Sequence, residues 1–297
     1  MSTEINKAFV QQFSDNLLML AQQKGTRLMG SVRVKKTVGK YDHFDRIGKV
    51  SAQKRTSRHG DTPQIDTPHS RRRVVLDDYE WADLIDRQDE IRMITDPRSA
   101  YAQSGGNALG RKMDELILDA ATGNATSVDS ADAGSNVALP AGQIIDEDFG
   151  TADSNLTLAK LIEAKRILDK NEISSENRTL VHNASALANL LNDTTVTSAD
   201  YNSIKALVRG DIDTFLGFKF VKTELLNGTA DGTDTDPVLC IAMQKDAMGL
   251  AMGQDITVRI SERDDKSYAT QVYASMTMGA TRIEDEGVVS IQCVQSA

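Results

Sequence analysis

Four histidines, two cysteines and one run of carboxylates are the residues of this chain that could serve catalysis or metal binding. The histidines lie far apart in sequence, and three of the four belong to one polar segment. A histidine beside arginines on an exposed segment is more often solvated than a ligand or a base. These candidates are His43, His59, His69 and His182, Cys240 and Cys293, and Asp83, Asp86, Asp89 and Glu90.

The candidates also have simpler structural interpretations. Both cysteines sit in apolar, strand-like runs without a companion at metal-ligand spacing, which favours buried free thiols over a disulfide or a metal site. The carboxylates between 83 and 90 follow the period of an amphipathic helix and would form its solvent-exposed face. The chain has no Walker-type glycine loop, G-x-S-x-G elbow, H-E-x-x-H or C-x-x-C motif. The sequence therefore predicts no catalytic, metal or cofactor site, which weakens the enzyme interpretation without excluding it.

Length and hydropathy narrow the class of protein. A chain of 297 residues can bury a sizeable core and form two subdomains. No window approaches the roughly 18 unbroken apolar residues of a membrane span, and residues 1–24 lack the layout of a signal peptide. We therefore expect a soluble protein, made in the cytoplasm, that makes no contact with a membrane.

The net charge of −9 is unevenly distributed along the chain. Residues 27–73 contain 13 Lys and Arg against 4 Asp, a local excess of +9. The rest of the chain contains 21 basic and 39 acidic residues. This separation suits a protein whose basic segment docks on the acidic surface of another copy, with nucleic acid as the competing partner.

The basic segment has the pattern of an extended arm. Apolar and charged residues alternate over 30–50, the period of a half-exposed strand, and the pattern resumes at Arg71. Between these runs, residues 51–70 contain almost no apolar side chain. The pattern predicts two strands joined by a tip that gains its order from another chain, with a disordered surface loop as the alternative.

A long helix is predicted from Asp96 to Thr122, and the other elements are expected to lie along it. Asp96 suits the N-cap, Pro97 suits the first turn, and Gly123 suits the C-cap. An apolar stripe lies on one side of this helix, and charged residues on the other side are expected to face water or a charged neighbour. The two sides comprise Leu109, Met113, Leu116, Ile117 and Ala120, and Arg111, Lys112, Asp114, Glu115 and Asp119.

Two adjacent glycines, Gly105 and Gly106, interrupt this helix. Each weakens a helix by about 1 kcal/mol relative to alanine. The pair is therefore either a hinge, because kinks concentrate at such weak points, or a place where a strand or a neighbouring chain lies close against the helix.

The remaining pattern predicts helices and strands in mixed order. Residues 124–155 are expected to form an acidic surface loop or loose hairpin, and the C-terminal strands are expected to form a sheet against the long helix. Helices are predicted at 5–24, at 79–94 after Asp77 and Asp78, and after Asn155, Asn183 and Ser198, with strands at 178–182, 214–224, 238–243, 255–262, 268–285 and 287–294.

The order of these elements resembles that of the major capsid proteins of tailed bacteriophages, which have the Hong Kong 97-like fold. The resemblance spans most of the chain, and its specificity lies in the order of the stretches. They are F-V-Q-Q-F-S-D-N-L-L-M-L-A-Q-Q-K-G-T-R-L, L-G-R-K-M-D-E-L-I-L-D-A-A-T-G-N, S-A-D-Y-N-S-I-K-A-L-V-R-G-D-I-D-T-F-L-G-F-K-F and G-A-T-R-I-E-D-E-G-V-V-S-I.

The resemblance implies an α+β fold with four parts. These are an N-terminal arm at 1–30, an extended basic loop at 31–75, a peripheral domain from 76–145 and 237–297, and an axial domain at 146–236. The peripheral domain would hold the spine helix, 96–122, and the C-terminal strands.

The resemblance also implies a function. Such a protein self-assembles into pentamers and hexamers of an icosahedral head shell that encloses double-stranded DNA without sequence-specific contacts. It would be made in the bacterial host cytoplasm and reside in the virion. Scaffolding and portal proteins are the expected further partners, with a decoration protein left open, and no enzymatic activity or cofactor is expected.

The basic arm is expected to contact a neighbouring subunit, and Gly105 and Gly106 are the predicted spine hinge. In some relatives a loop lysine cross-links to a neighbour's asparagine. Lys54 is the lysine nearest the tip here, and non-covalent docking is the expectation. The alternative function, a nucleic-acid-binding protein using residues 27–73, would have only Tyr41 and Phe44 as aromatics in that segment. The predicted contact residues are Arg46, Lys49, Lys54, Arg55, Arg58, Arg71, Arg72 and Arg73.

Overall fold

A computed structural model describes most of the chain. The described residues are 22–55, 57–58, 62, 64–86, 98–128, 133–150, 153–192, 214–226 and 237–294. The predicted N-terminal helix up to residue 21, the helix after Ser198, the cap residues Asp96 and Pro97, and the carboxylates Asp89 and Glu90 lie outside these ranges.

Three α-helices and 14 strands form within the described ranges. The helices are α1 (Arg98–Thr122), α2 (Leu158–Lys170) and α3 (Ala184–Asn192). The strands are β1 (Arg33–Lys36), β2 (Tyr41–Ile47), β3 (His69–Val75), β4 (Asp77–Ile85), β5 (Ala125–Val128), β6 (Gly134–Val137), β7 (Ile144–Ile145), β8 (Arg178–His182), β9 (Thr214–Phe215), β10 (Phe218–Lys222), β11 (Val238–Gln244), β12 (Met248–Arg263), β13 (Ala269–Arg282) and β14 (Val288–Cys293).

The first sheet supports the long helix α1. Its strand order is β1-β12-β13-β4, and α1 packs against β13. Buried side chains of β13, including Ala274 and Met276, share one hydrophobic cluster with the buried side of the helix. On the helix, Leu109, Met113 and Ile117 are buried, so the predicted apolar stripe faces the core there, and Leu116 and Ala120 are partly buried against it.

The predicted helix at 79–94 is wrong over its first part. Residues 77–85 form β4, which pairs antiparallel with β13 from Met278↔Asp77 to Thr270↔Ile85. Apolar Tyr79, Trp81 and Ile85 fit a strand period as well as a helical one, and pairing with β13 decides between the two. The rest of this prediction, 87–94, lies outside the described residues.

The second sheet has the order β7-β14-β11-β8-β10-β9, and α2 packs on β14 and β7. Thr157, and not Asn155, caps α2 by accepting a hydrogen bond from Lys160 N. Strands β11 and β14 pair here, so only β12 and β13 of the C-terminal strands lie against α1. The expectation of one C-terminal sheet against the spine is corrected, and the expected boundary at 236/237 divides the second sheet.

The third sheet carries the predicted arm. Its order is β2-β3-β5-β6, and β2 pairs antiparallel with β3 from Tyr41↔Val75 to Ile47↔His69. The predicted two-stranded arm is therefore a β-hairpin. Residues 48–68 join its strands, and their described members are exposed and have no regular secondary structure. We call residues 48–68 the basic loop.

Candidate assembly surface

The hairpin separates its three consecutive arginines between two faces. Cross-strand pairs are Asp45↔Arg71, Phe44↔Arg72 and His43↔Arg73. Because side chains alternate along a strand, Arg72 shares the inner face with Phe44, and the two neighbouring arginines point the other way. Arg72 is only 2% exposed. Its side chain is therefore not available to a neighbouring chain, which corrects its predicted contact role.

Arg72 is held by a buried ionic cluster at the end of helix α1. Its Nη2 donates to Asp285 Oδ2 at 2.5 Å, and Arg282 Nε donates to Asp285 Oδ1 at 2.6 Å. Arg282 is fully buried and also donates to the carbonyl oxygens of Ala121 and Gly123 at 3.1 and 2.7 Å. Asp285 thus connects the hairpin to the carboxyl end of α1.

The cluster holds more positive than negative charge. Burial lowers the pKa of the Arg72 guanidinium, and nearby Arg46 and Arg282 lower it further, whereas Asp285 raises it. Arginine remains protonated in proteins even so. Among the described residues, Asp285 is the one carboxylate that forms an ion pair with either buried guanidinium group.

Two other predicted contact residues also bind their own chain. Arg46 donates from Nη1 to the carbonyl oxygen of Ile283 at 2.7 Å. Lys49 Nζ lies 3.9 Å from Glu286 Oε2 and 3.5 Å from the carbonyl oxygen of Asn171. We call Arg46 and Arg72, together with Lys49 at the start of the basic loop, the hairpin root.

The tip of the basic loop is different. Lys54, Arg55 and Arg58 are exposed, and within the described residues none of them forms an ion pair with a carboxylate. Arg55 donates to the carbonyl oxygens of Ser57 and Arg58, both inside the loop. We call Lys54, Arg55 and Arg58 the loop cations.

The two remaining predicted contact residues lie on the outer face of the hairpin. Arg71 Nε donates to Asp45 at 2.7 Å, an exposed cross-strand pair. Arg73 is half-buried, and its guanidinium carbon lies 5.4 Å from the centre of the Tyr41 ring. Both flank Arg72 in strand β3, and neither has its side chain on the inner face that Arg72 shares with Phe44.

The spine glycines have unequal surroundings. Helix α1 runs continuously through both positions. A Cβ on Gly105 would lie 2.5 Å from the Trp81 ring, whereas one on Gly106 would meet nothing within 4 Å. Close packing against β4, the alternative to a hinge, therefore accounts for Gly105. The hinge itself stays a prediction.

Asp114 is a buried anchor that the sequence analysis placed on the wrong side of the helix. It is 0% exposed and accepts hydrogen bonds from Thr26 Oγ1 at 2.5 Å and from the backbone N–H groups of Arg27 and Leu28 at 2.9 and 3.1 Å. The chain crosses α1 at Gly110, where a Cβ would lie 2.7 Å from Gly25. These contacts hold the segment 23–28 against helix α1.

The spacing of Asp114 in the sequence could have predicted that its side chain is buried. It lies four residues after Gly110 and three before Ile117, so it belongs to the buried stripe and not to the charged side.

The residues considered first for chemistry do not converge. His182 is buried, and burial lowers the pKa of its imidazole. Cys240 and Cys293 are buried free thiols, as predicted, and a hydrogen bond between them together with burial raises the pKa of Cys240. Asp83 lies on β4 and Asp86 just beyond it. Across the described ranges, no three potential metal ligands come together.

Comparison with known proteins identifies the family. A model of a family described as phage capsid protein matches residues 5–295. The chain belongs to this capsid protein family. No curated protein sequence matches the chain.

Solved capsid structures share the fold. The capsid of Cyanophage P-SCSP1u is 21% identical with a TM-score of 0.72, covering 98% of this chain and 94% of that one. The capsid of Ralstonia phage GP4 is 12% identical with a TM-score of 0.71, covering 97% and 95%. That of Cyanophage Pam1 is 14% identical with a TM-score of 0.68, covering 96% of each chain.

These matches confirm the α+β, Hong Kong 97-like fold and the role of a phage capsid protein that self-assembles into the virion shell. The alternative, a nucleic-acid-binding protein using residues 27–73, receives no support from them. The family is one of structural proteins. No helix in the described part of the chain is long and apolar enough to cross a membrane.

Proposed function

We propose that this capsid protein forms the pentamers and hexamers of an icosahedral head that encloses the double-stranded DNA of a tailed bacteriophage. Assembly takes place in the host cytoplasm with scaffolding and portal proteins. The peripheral and axial domains supply the body of each subunit, and the basic loop reaches a neighbouring copy.

The observation that carries this proposal is the contrast within the arm. The root is tied to its own subunit through Asp285, Ile283 and Glu286. The loop cations have no such partner among the described residues, although the chain outside 27–73 is strongly acidic. A long loop without a core gains order most readily from another chain.

Electrostatic docking gives the proposal a direct test. Purified protein should form closed shells, pentamers or hexamers under negative-stain microscopy at low salt. Light scattering should show slower early assembly as salt rises, because exposed charges are screened beyond about 8 Å at physiological ionic strength. A protein that stays monomeric across concentration and salt, with or without a scaffolding protein, would contradict the proposal.

A further inference from the structure

A cavity of about 450 Å³ lies between helix α2 and the turn that leads into β7. The turn contributes a short 3₁₀ helix, Ala141–Gln143, and β7 pairs with β14 through Ile144↔Ser290. The helix contributes one side of its last two turns, including Ile167 and Lys170. The cavity is therefore built on two elements that the second sheet holds in place.

Gln143 lines this cavity and carries an unused acceptor. The residue is 5% exposed, and its side-chain Oε1 has no hydrogen-bond partner among the described residues. A buried acceptor without a donor is costly, and such groups in native proteins call for a partner. The missing group at Gln143 is a hydrogen-bond donor.

The charged residues that line the cavity determine which charge is favoured for that donor. Glu163 and Arg166 close a two-pronged ion pair with each other, at 2.7 and 2.5 Å. Asp146 and Asp148 line the same cavity, are exposed, and their carboxylates make no ion pair or hydrogen bond with another described residue. Lys170 also lines the cavity and contributes one ammonium group, so two carboxylates and the Gln143 acceptor outnumber one cation. This excess of acceptors favours an ammonium or guanidinium group.

The walls suit the stem of such a side chain. Ile144, Ile167 and Phe149 line the cavity, and Phe149 is 37% exposed. Lysine and arginine side chains bury their methylene stems on apolar surface while the charged end finds polar partners, and an aromatic face attracts a cation.

We propose that this cavity binds a lysine or arginine side chain from the basic loop of a second copy of the chain. The inference rests on the proposed function and names the acceptor of the docking loop. The loop cations supply the required donors, and their charge complements Asp146 and Asp148. Lys49 contacts the backbone of Asn171, which lines the cavity, so a subunit's own loop begins beside its own cavity, but no described residue of that loop lines it.

The other acidic surface near the spine is less suited to this role. Asp78 and Glu80 form a row on β4, but Thr277 Oγ1 donates to Asp78 at 2.6 Å and Tyr273 Oη donates to Glu80 at 3.1 Å. These carboxylates already have donors. The α2 cavity instead combines open carboxylates with a buried acceptor that has no donor among the described residues.

Cross-linking between differently marked chains tests the contact. Chains carrying Lys54→Cys and chains carrying Asp148→Cys are mixed as minority components with unmodified protein, assembled, and treated with a short bis-maleimide. Background is low because Cys240 and Cys293 are 0% and 1% exposed. The matched control replaces Asp148→Cys with Asp255→Cys, another exposed carboxylate.

The proposal predicts several-fold more cross-linked dimer with the cysteine at 148 than with the cysteine at 255. Equal yields in well-formed shells would overturn it. A Lys54→Cys/Asp148→Cys double variant that links only within one chain would also overturn it, because the loop would then occupy its own cavity. Failure of the unmodified protein to form shells would instead reject the proposed function.

A second pair of variants tests the buried acceptor. Gln143→Leu removes it, so the isolated subunit should be as stable as the parent or more stable, while the concentration needed for assembly rises several-fold. Gln143→Asn keeps an uncharged amide acceptor, so it should assemble more readily than Gln143→Leu. Assembly of Gln143→Leu at the parental concentration would contradict a bound cation.

Discussion

The root and the tip of the same hairpin are both rich in basic residues, yet they have opposite environments. At the root, Arg72 is 2% exposed and shares Asp285 with the fully buried Arg282. At the tip, Lys54, Arg55 and Arg58 are exposed. Positive charge at the root is paired within the subunit, whereas we propose that positive charge at the tip binds a partner. We therefore propose that similar sequence composition serves folding in one place and assembly in the other.

The largest effect is expected from removing the counter-charge of the root. Asp285→Asn should lower the free energy of unfolding by about 3–5 kcal/mol, because it leaves two buried guanidinium groups without compensation. Urea unfolding of the isolated subunit measures this. The control, Asp45→Asn, breaks the exposed pair with Arg71 and should cost at most about 1 kcal/mol. Equal losses for both variants would show that the root is no more dependent on ion pairing than the outer face.

The buried position of Arg72 changes the interpretation of a charge-reversal experiment on the arm. Reversing Arg71, Arg72 and Arg73 together would place a carboxylate beside Asp285 in the buried cluster. Loss of assembly in that variant would report an unfolded subunit and not a lost docking contact. Variants of the loop cations are needed to distinguish a lost docking contact from an unfolded subunit.

A second prediction sharpens the contrast between groups packed by the subunit and groups left open. Gly105→Ala should lower the free energy of unfolding by about 1–3 kcal/mol, because its methyl group would meet the Trp81 ring. Gly106→Ala faces open space and should raise it by up to about 1 kcal/mol, since alanine favours the helix. Thermal and urea unfolding of each single variant decide the matter.

The glycine pair also bears on shell maturation. If Gly106→Ala folds and assembles but its shells fail to expand, the hinge prediction is supported at that position. If both single variants are stabilised, the close contact between Gly105 and Trp81 is not tight, and the helix tolerates both glycines for another reason.

The smallest predicted effect is on the pH dependence of the free energy of unfolding. Burial lowers the pKa of His182 in the folded state below its ordinary value of 6.5. The unfolded chain therefore binds the proton more readily, and stability is lost as pH falls through about 6.5 towards the folded pKa. His182→Gln should flatten this part of the stability curve, measured by urea unfolding between pH 8 and 5. If the stability of the variant falls with pH as steeply as that of the parent, titratable groups other than His182 cause the loss of stability.

Local patterns carried much of the fold prediction. The alternation of β2 and β3, the apolar runs of β11 and β14, and the periodic stripe of α1 are each readable within a few neighbouring residues. The error at 79–94 arose where both periods fit and where pairing with β13, almost 200 residues away, decides the outcome. Long-range pairing leaves no mark in a short window of sequence.

The candidate surface was less predictable for the same reason. Three consecutive arginines in a strand cannot all face outward, but which one turns inward depends on the register with Phe44. The partner of Arg72 is 213 residues away. Likewise, Gln143 and the acidic rim of its cavity are brought against α2 by the second sheet, and nothing in their own sequence marks them as a site.

Reversing the charge of the loop cations alone separates folding of the subunit from assembly of the shell. Lys54, Arg55 and Arg58 are replaced together by Glu, and assembly is followed by light scattering and negative-stain microscopy alongside urea unfolding of the subunit. A variant with Lys36, Lys219 and Lys266 replaced by Glu makes the same change in net charge at other exposed sites. We predict that the loop variant keeps its free energy of unfolding within about 0.5 kcal/mol but forms no shells, while the control variant still assembles. Closed shells from the loop variant at the parental protein and salt concentrations would contradict it.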